Sequence, residues 1–280
     1  MRLSKNLWRL SIGLFLFFLL VPVAWGQITR QTAILDDLAR ADIVYIGETH
    51  DRAEDHAARF QLVQRLQAKN PRVAIAFEMF QRPYQVYLDR YVAGTIEETE
   101  LREKTEYDDR WGFDWEFYAP LLRFARENKI PLIALNTPAE ITRKVAREGL
   151  ESLTPSEMTY IPPKEEIKTD NEAYRQMIRE VYERHSGGNS KGFDRFFLAQ
   201  VLWDETMADS IAEFHRANPD DQILVLAGKG HIIYGYGIPD RVKRRLGDRV
   251  TARSIFLGYD ADLWEKGKPA PADYYWQLEK

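Results

Sequence analysis

The sequence predicts an α/β fold: a mainly parallel sheet with helices on both faces, capped by helical or irregular excursions. Two observations lead there. Four short runs are apolar at every position instead of every second one, as strands are when both of their faces are covered. Between them lie longer stretches with apolar residues at helical spacing, and strands that alternate with helices are joined by right-handed crossovers, which leaves the strands parallel.

The four runs are Asp42–Ile46, Arg72–Phe77, Pro131–Leu135 and Gln222–Ala227, and an edge strand is expected at Val250–Phe256. Helices are expected over 54–68, where Ala58, Leu62, Val63 and Leu66 share a face, and over 116–128, 138–147 and 192–217. Two segments break the alternation. Residues 80–112 are charged and rich in tyrosine, and residues 149–190 carry Pro155, Pro162, Pro163 and Gly187-Gly188, so both are expected to cap the sheet. The tail from Lys266 onward is expected to be irregular.

Arg2, Lys5 and Arg9 precede an apolar run from Leu10 to Val23, and Ala24-Trp25-Gly26 sets small residues at the two positions a signal peptidase reads. The expectation is a signal peptide over 1–26, one α/β domain over 27–280, and export to the periplasm or beyond. An uncleaved anchor is the rival, although the run is short for a spanning helix. Those three basic residues are the only charges before Gln27, so residues 27–280 hold 36 Lys and Arg against 43 Asp and Glu. Nucleic acid is therefore not an expected partner, because phosphate neutralisation needs a concentrated basic surface. The chain has no cysteine, which rules out disulfides and leaves His, carboxylate and Tyr to hold any metal.

The chemistry is expected just past the strands. The first leads into Gly47-Glu48-Thr49-His50, the second into Glu78, the third into Asn136 and the fourth into Gly228-Lys229-Gly230-His231. In an open α/β sheet ligands bind at the carboxyl ends of the strands, so these residues are expected to meet there. Imidazole with carboxylate suits a divalent first-row metal, and a Glu beside such a metal can act as general base toward bound water. On that reading His50 and His231 are metal ligands and Glu48 and Glu78 are catalytic. Each glycine lets the backbone turn sharply, so that the His three residues later points back over the sheet edge.

Other residues carry weaker signals. His56 either lines the same pocket or lies in solvent, and His185 and His215 read as surface. Asp204 and Glu205 are either the solvated face of a long helix or a pair that orients a His. Tyr107, Trp111, Phe113, Trp115, Phe117 and Tyr118 suit a flat wall for a planar ligand, and equally suit a core. Gly228-Lys229-Gly230 is not a phosphate loop, because no Ser or Thr follows the Lys and the glycine spacing is wrong.

At these residues the chain resembles the ChaN-like haem-binding uptake proteins, of the superfamily that also holds the TIKI proteins and, more remotely, the erythromycin esterases. The resemblance rests on Val44-Tyr-Ile-Gly-Glu-Thr-His-Asp51 with His56, and on Ala76-Phe-Glu-Met-Phe80 with Gln85. Ala134-Leu-Asn-Thr-Pro138, Gln200 to Ala208, and Gly228 to His231 with Gly237-Ile238-Pro239 complete it. It implies an envelope haem-binding protein of iron uptake that can associate as a homodimer around haem. The TIKI branch implies instead a metal-dependent hydrolase, a peptidase or esterase using Mn or Co at the Glu/His residues. Family members often carry a lipid anchor, and with no cysteine to acylate none is expected here. No motif marks a haem ligand, and Tyr is the type to seek first, with residues 107–118 and His50 as the places to look.

Overall fold

In the computed structural model, which describes residues 30–185, 192–264 and 269–277, each of the four apolar runs is a strand. They are β1 (Ile43–Glu48), β2 (Val73–Gln81), β3 (Leu132–Asn136) and β4 (Gln222–Gly228), joined by β5 (Ala252–Leu257) and β6 (Tyr274–Trp276). The sheet has the order β3-β2-β4-β1-β5-β6, with every pairing parallel. β1, β2 and β4 are buried at every position, which is why their sequences lack alternation. β6 corrects the expectation of an irregular tail: three residues are too few to show a period, and it is held by pairing Phe256 with Tyr275.

The helices are α1 (Ala53–Lys69), α2 (Gln85–Ala93), α3 (Glu98–Lys104), α4 (Ala119–Asn128), α5 (Ala139–Glu148), α6 (Glu172–His185), α7 (Phe193–Ala217) and α8 (Ile238–Leu246). α1 forms because Ala58, Leu62, Val63 and Leu66 fall on one buried face, with Glu54 and Asp55 in its first turn and Lys69 in its last complementing the helix dipole. α2, α3 and a turn at Tyr107–Arg110 fill the first excursion, and α6 with shorter turns fills the second. The chain divides into two units, residues 1–40 and 41–280; the first holds a helix over 30–38, and the sheet and α1–α8 belong to the second. The leader expected at 1–26 and the side chain of His185 lie outside the described residues. Among the described residues no helix is long and apolar enough to cross a membrane.

Two details of the sheet position the site. β2 runs past the expected end at Phe77 through Glu78 to Gln81, and its register against β3 shifts between Phe77 and Gln81. Such irregularities re-aim side chains, and this one falls at Glu78. The edge strand β3 is closed by Gln85, whose Nε2 donates to the Leu132 carbonyl at 2.7 Å while its Oε1 accepts from the Ala134 amide at 2.7 Å, as a neighbouring strand would do. Replacing it by Ala leaves two groups of a buried edge unpaired. Gln85→Ala is expected to lower the unfolding free energy by about 1–3 kcal/mol in urea denaturation, whereas a merely exposed polar side chain would shift it by less than about 0.5 kcal/mol.

Candidate functional site

Glu48 closes β1 in register with Gly228, the last residue of β4, while Phe77, just before Glu78, pairs with Leu226. Parallel pairing thus brings three distant segments to one sheet edge. His50 Nδ1 lies 3.2 Å from Glu48 Oε1 and its Nε2 3.7 Å from Glu78 Oε2, while His231 Nε2 lies 3.3 Å from the other Glu78 oxygen. Glu48, His50, Glu78 and His231 therefore converge. Asn136 joins them only through the backbone, its Nδ2 donating to the Glu78 carbonyl at 2.9 Å.

Glycine makes this approach possible. A Cβ on Gly228 would stand 2.8 Å from His50 Nε2, and one on Gly237 would stand 2.3 Å from the His231 carbonyl oxygen. Any side chain at 228 would push the imidazole off Glu78. Its amide is used as well, donating to Glu78 Oε2 at 2.7 Å.

The cluster extends at both ends into a row of alternating charge. At one end His231 Nδ1 lies 2.7 Å from Asp204, whose other oxygen accepts the Tyr174 hydroxyl at 2.5 Å. At the other, Glu48 is paired with Arg59 and accepts the Tyr118 hydroxyl at 2.8 Å. Burial alone would raise the Glu48 carboxyl, but the Arg59 guanidinium, helped by His50 and His56, outweighs it and holds the group at about 2. Glu78 is likewise held below the usual carboxylate range against its burial, by His231 first, then by His50 and the Gly228 amide. Burial would strip the proton from His231, yet Glu78 and Asp204 push it up to about 10, so at neutral pH it is an imidazolium held between two carboxylates. His50 moves up for the same reason, Glu48 and Glu78 overcoming its burial.

The surroundings of the row revise several expectations. His56 is neither a pocket wall nor solvated: it is buried, stacks on Phe117 at 4.4 Å, and its Nε2 donates to the His50 carbonyl at 2.9 Å, which sets the backbone of His50. Burial, and then Arg59, lower its basicity, so it acts as a neutral donor. Asp204 orients His231, as the second reading of that pair requires, whereas Glu205 turns away from the site to meet Arg241, Arg244 and Arg245. His215 is buried, not on the surface. The aromatic segment is no flat wall, since its rings meet edge to face; Tyr107, Trp115 and Tyr118 are core, and only Trp111 and Phe113, half-buried, reach His50, at 4.9 and 5.2 Å. His50 and His231, read from the sequence as metal ligands, turn to opposite oxygens of one carboxylate, and among the described residues no three His, Asp or Glu side chains are placed to ligate a metal ion.

Comparison with known proteins agrees with this architecture. Residues 34–242 match the family described as haem-binding uptake, Tiki superfamily, ChaN. The chain belongs to that family. A curated relative, Protein RETICULATA-RELATED 5, chloroplastic, from Arabidopsis thaliana, is 25% identical over 279 residues; the match takes in 91% of this chain and 36% of that protein, so the chain spans about a third of its length. A solved structure described as cofacial heme binding to ChaN of Campylobacter jejuni superposes with a TM-score of 0.69, at 19% identity, over 89% of this chain and 92% of that one. At that identity the likeness speaks to the fold. An erythromycin esterase in its open conformation follows, with a TM-score of 0.49 and 17% identity over 89% and 79% of the two chains.

Arg59 and Tyr174 belong to the row and are missed by sequence reading, and Tyr118, read there as wall or core, joins the row through Glu48. For Arg59 there was a signal: it lies within the apolar stripe of α1 between Ala58 and Leu62, where an unpaired cation would not be tolerated. For Tyr174 there was none. Because the Glu48 carboxyl falls from an ordinary 4.5 to about 2, its share of stability is complete above about pH 4.5 and is lost as the pH falls through 2. The stability difference between the native chain and Glu48→Gln is expected to grow as the pH falls from 8 to 6, where the His50 imidazolium that Glu48 favours forms, and to shrink from pH 4.5 downward; a difference that did not shrink below pH 4.5 would show that Arg59 does not hold the carboxylate ionised.

Proposed function

We propose that the chain is an exported haem-binding protein of the uptake type, which takes the porphyrin against the rim formed by His50, Trp111 and Phe113. Family membership and that rim support the reading: two half-buried aromatic rings beside a partly exposed imidazole, at the strand ends where α/β sheets bind ligands. Haem needs a broad apolar contact and an axial donor, and its contact is what Trp111 and Phe113 supply. Its donor is not in the buried part of the segment. Tyr107 and Tyr118 are buried and hydrogen-bonded, and burial raises both phenols far from the phenolate that iron prefers. Both His50 nitrogens face Glu48 and Glu78, so the ligand comes from outside the Glu/His row.

The hydrolase reading asks Glu48 to take a proton from water. A general base works best with a pKa near the operating pH, and a carboxylate held at about 2 by a buried Arg is a weak one. The row suits a rigid floor better than a catalytic pair.

Haemin added to the purified chain is expected to give a Soret band, weakened about tenfold in affinity by Trp111→Ala or Phe113→Ala and retained in Tyr107→Phe and Tyr118→Phe. Loss of the band in either Tyr→Phe variant with the fold intact would return the ligand to the segment. No spectral change with haemin, together with Mn- or Co-dependent ester or peptide cleavage that Glu48→Gln abolishes, would replace the reading by the hydrolase one. We further propose that residues 1–26 are removed on export, that no lipid is attached, and that two copies associate around the ligand. Mass spectrometry of the chain from its native envelope is expected to give an N-terminus at Gln27 with no added lipid mass, and a start near Met1 would mean an anchor instead.

A further inference from the structure

Beside the Glu/His row lies a second charged cluster that the row does not use. Asp55, fully buried in the first turn of α1, accepts the Thr49 amide at 2.9 Å through Oδ2, while its Oδ1 accepts no hydrogen bond. Two cations flank it without closing on it. Lys229 Nζ stands 3.6 Å from Oδ2 and Arg52 Nε 3.6 Å from Oδ1. The Lys229 side chain is only 14% exposed, and its one hydrogen bond is to Thr49 Oγ1 at 3.2 Å. An ammonium carries three donors, and burying them short of partners is costly unless something supplies acceptors. Arg52 is 43% exposed, and its guanidinium packs over Gly258, where a Cβ would lie 3.1 Å from an Arg52 nitrogen. Two positive charges thus answer one carboxylate, with donors to spare, at Thr49, the immediate neighbour of His50.

We propose that Lys229 and Arg52 bind the carboxylate side chains of the porphyrin. The inference rests on the haem-binding reading above and adds to it which end of the ligand the protein recognises. The surplus charge and the spare donors match an acid group that must stay at the water edge while the macrocycle covers apolar surface.

The test compares haemin with its dimethyl ester, in which the carboxylates are neutral, by Soret titration. The native chain is expected to bind haemin about tenfold more tightly than the ester. Lys229→Met is expected to weaken haemin about tenfold and Arg52→Gln a fewfold, with the ester unaffected by either, while Lys229→Arg restores haemin binding. Equal affinity of the native chain for both ligands, or variants that weaken both alike, would overturn the assignment while leaving haem binding standing. Binding of neither ligand would remove the haem-binding reading itself and this inference with it. Arg52 is on the surface, so Arg52→Gln decides the matter if Lys229→Met does not fold.

Discussion

A carboxylate buried at the end of a β-strand must be answered by a cation, and here Arg59 answers Glu48 from the buried face of α1. Removing one partner of such a pair costs about 3–5 kcal/mol, because the other is left charged and dry. Each further member of the row repeats the condition. Glu78 is tolerable because His231 and His50 flank it, and His231 keeps its proton because Asp204 holds its far side. The row is therefore one electrostatic unit running from α1 to α7, and the site depends on its being complete.

The sheet makes the row possible. The order β3-β2-β4-β1-β5-β6 sets β4 between β1 and β2, so the two glutamates flank one strand, and that strand ends in Gly228. With a larger residue there the histidine would be displaced and both glutamates would lose a partner. The shift of register in β2 serves the same end by turning Glu78 toward β4 at the point where regular pairing with β3 lapses.

In a floor tied together in this way each carboxylate is held ionised by the cations beside it, and His231 is held protonated by the carboxylates beside it. On the proposed reading, what the site offers a ligand lies around that floor: Trp111 and Phe113 against His50, and Arg52 and Lys229 at Asp55 and Thr49. This apolar rim with a cationic margin is the kind of surface a planar, acidic, hydrophobic molecule would require. The family's description and the chemistry of the rim thus point the same way without any part being asked of the row beyond rigidity.

From the sequence alone, the strands β1 to β4, most of the helices between them and the meeting of Glu48, His50, Glu78 and His231 were all legible. Those features follow from local pattern: short continuous apolar runs alternating with amphipathic helices read as buried strands, and parallel strands must present their ends together. The roles of individual side chains were not legible, because they depend on which groups face each other across long separations. Nothing near Asp204 tells that it meets His231 and that Glu205 does not; one residue on a helix turns the side chain by about 100°, and only packing decides which of the two points inward. His56, Tyr174 and His215 were misplaced or missed for the same reason. A polar residue can be buried wherever the fold brings it a partner, and that partner is chosen by the tertiary structure.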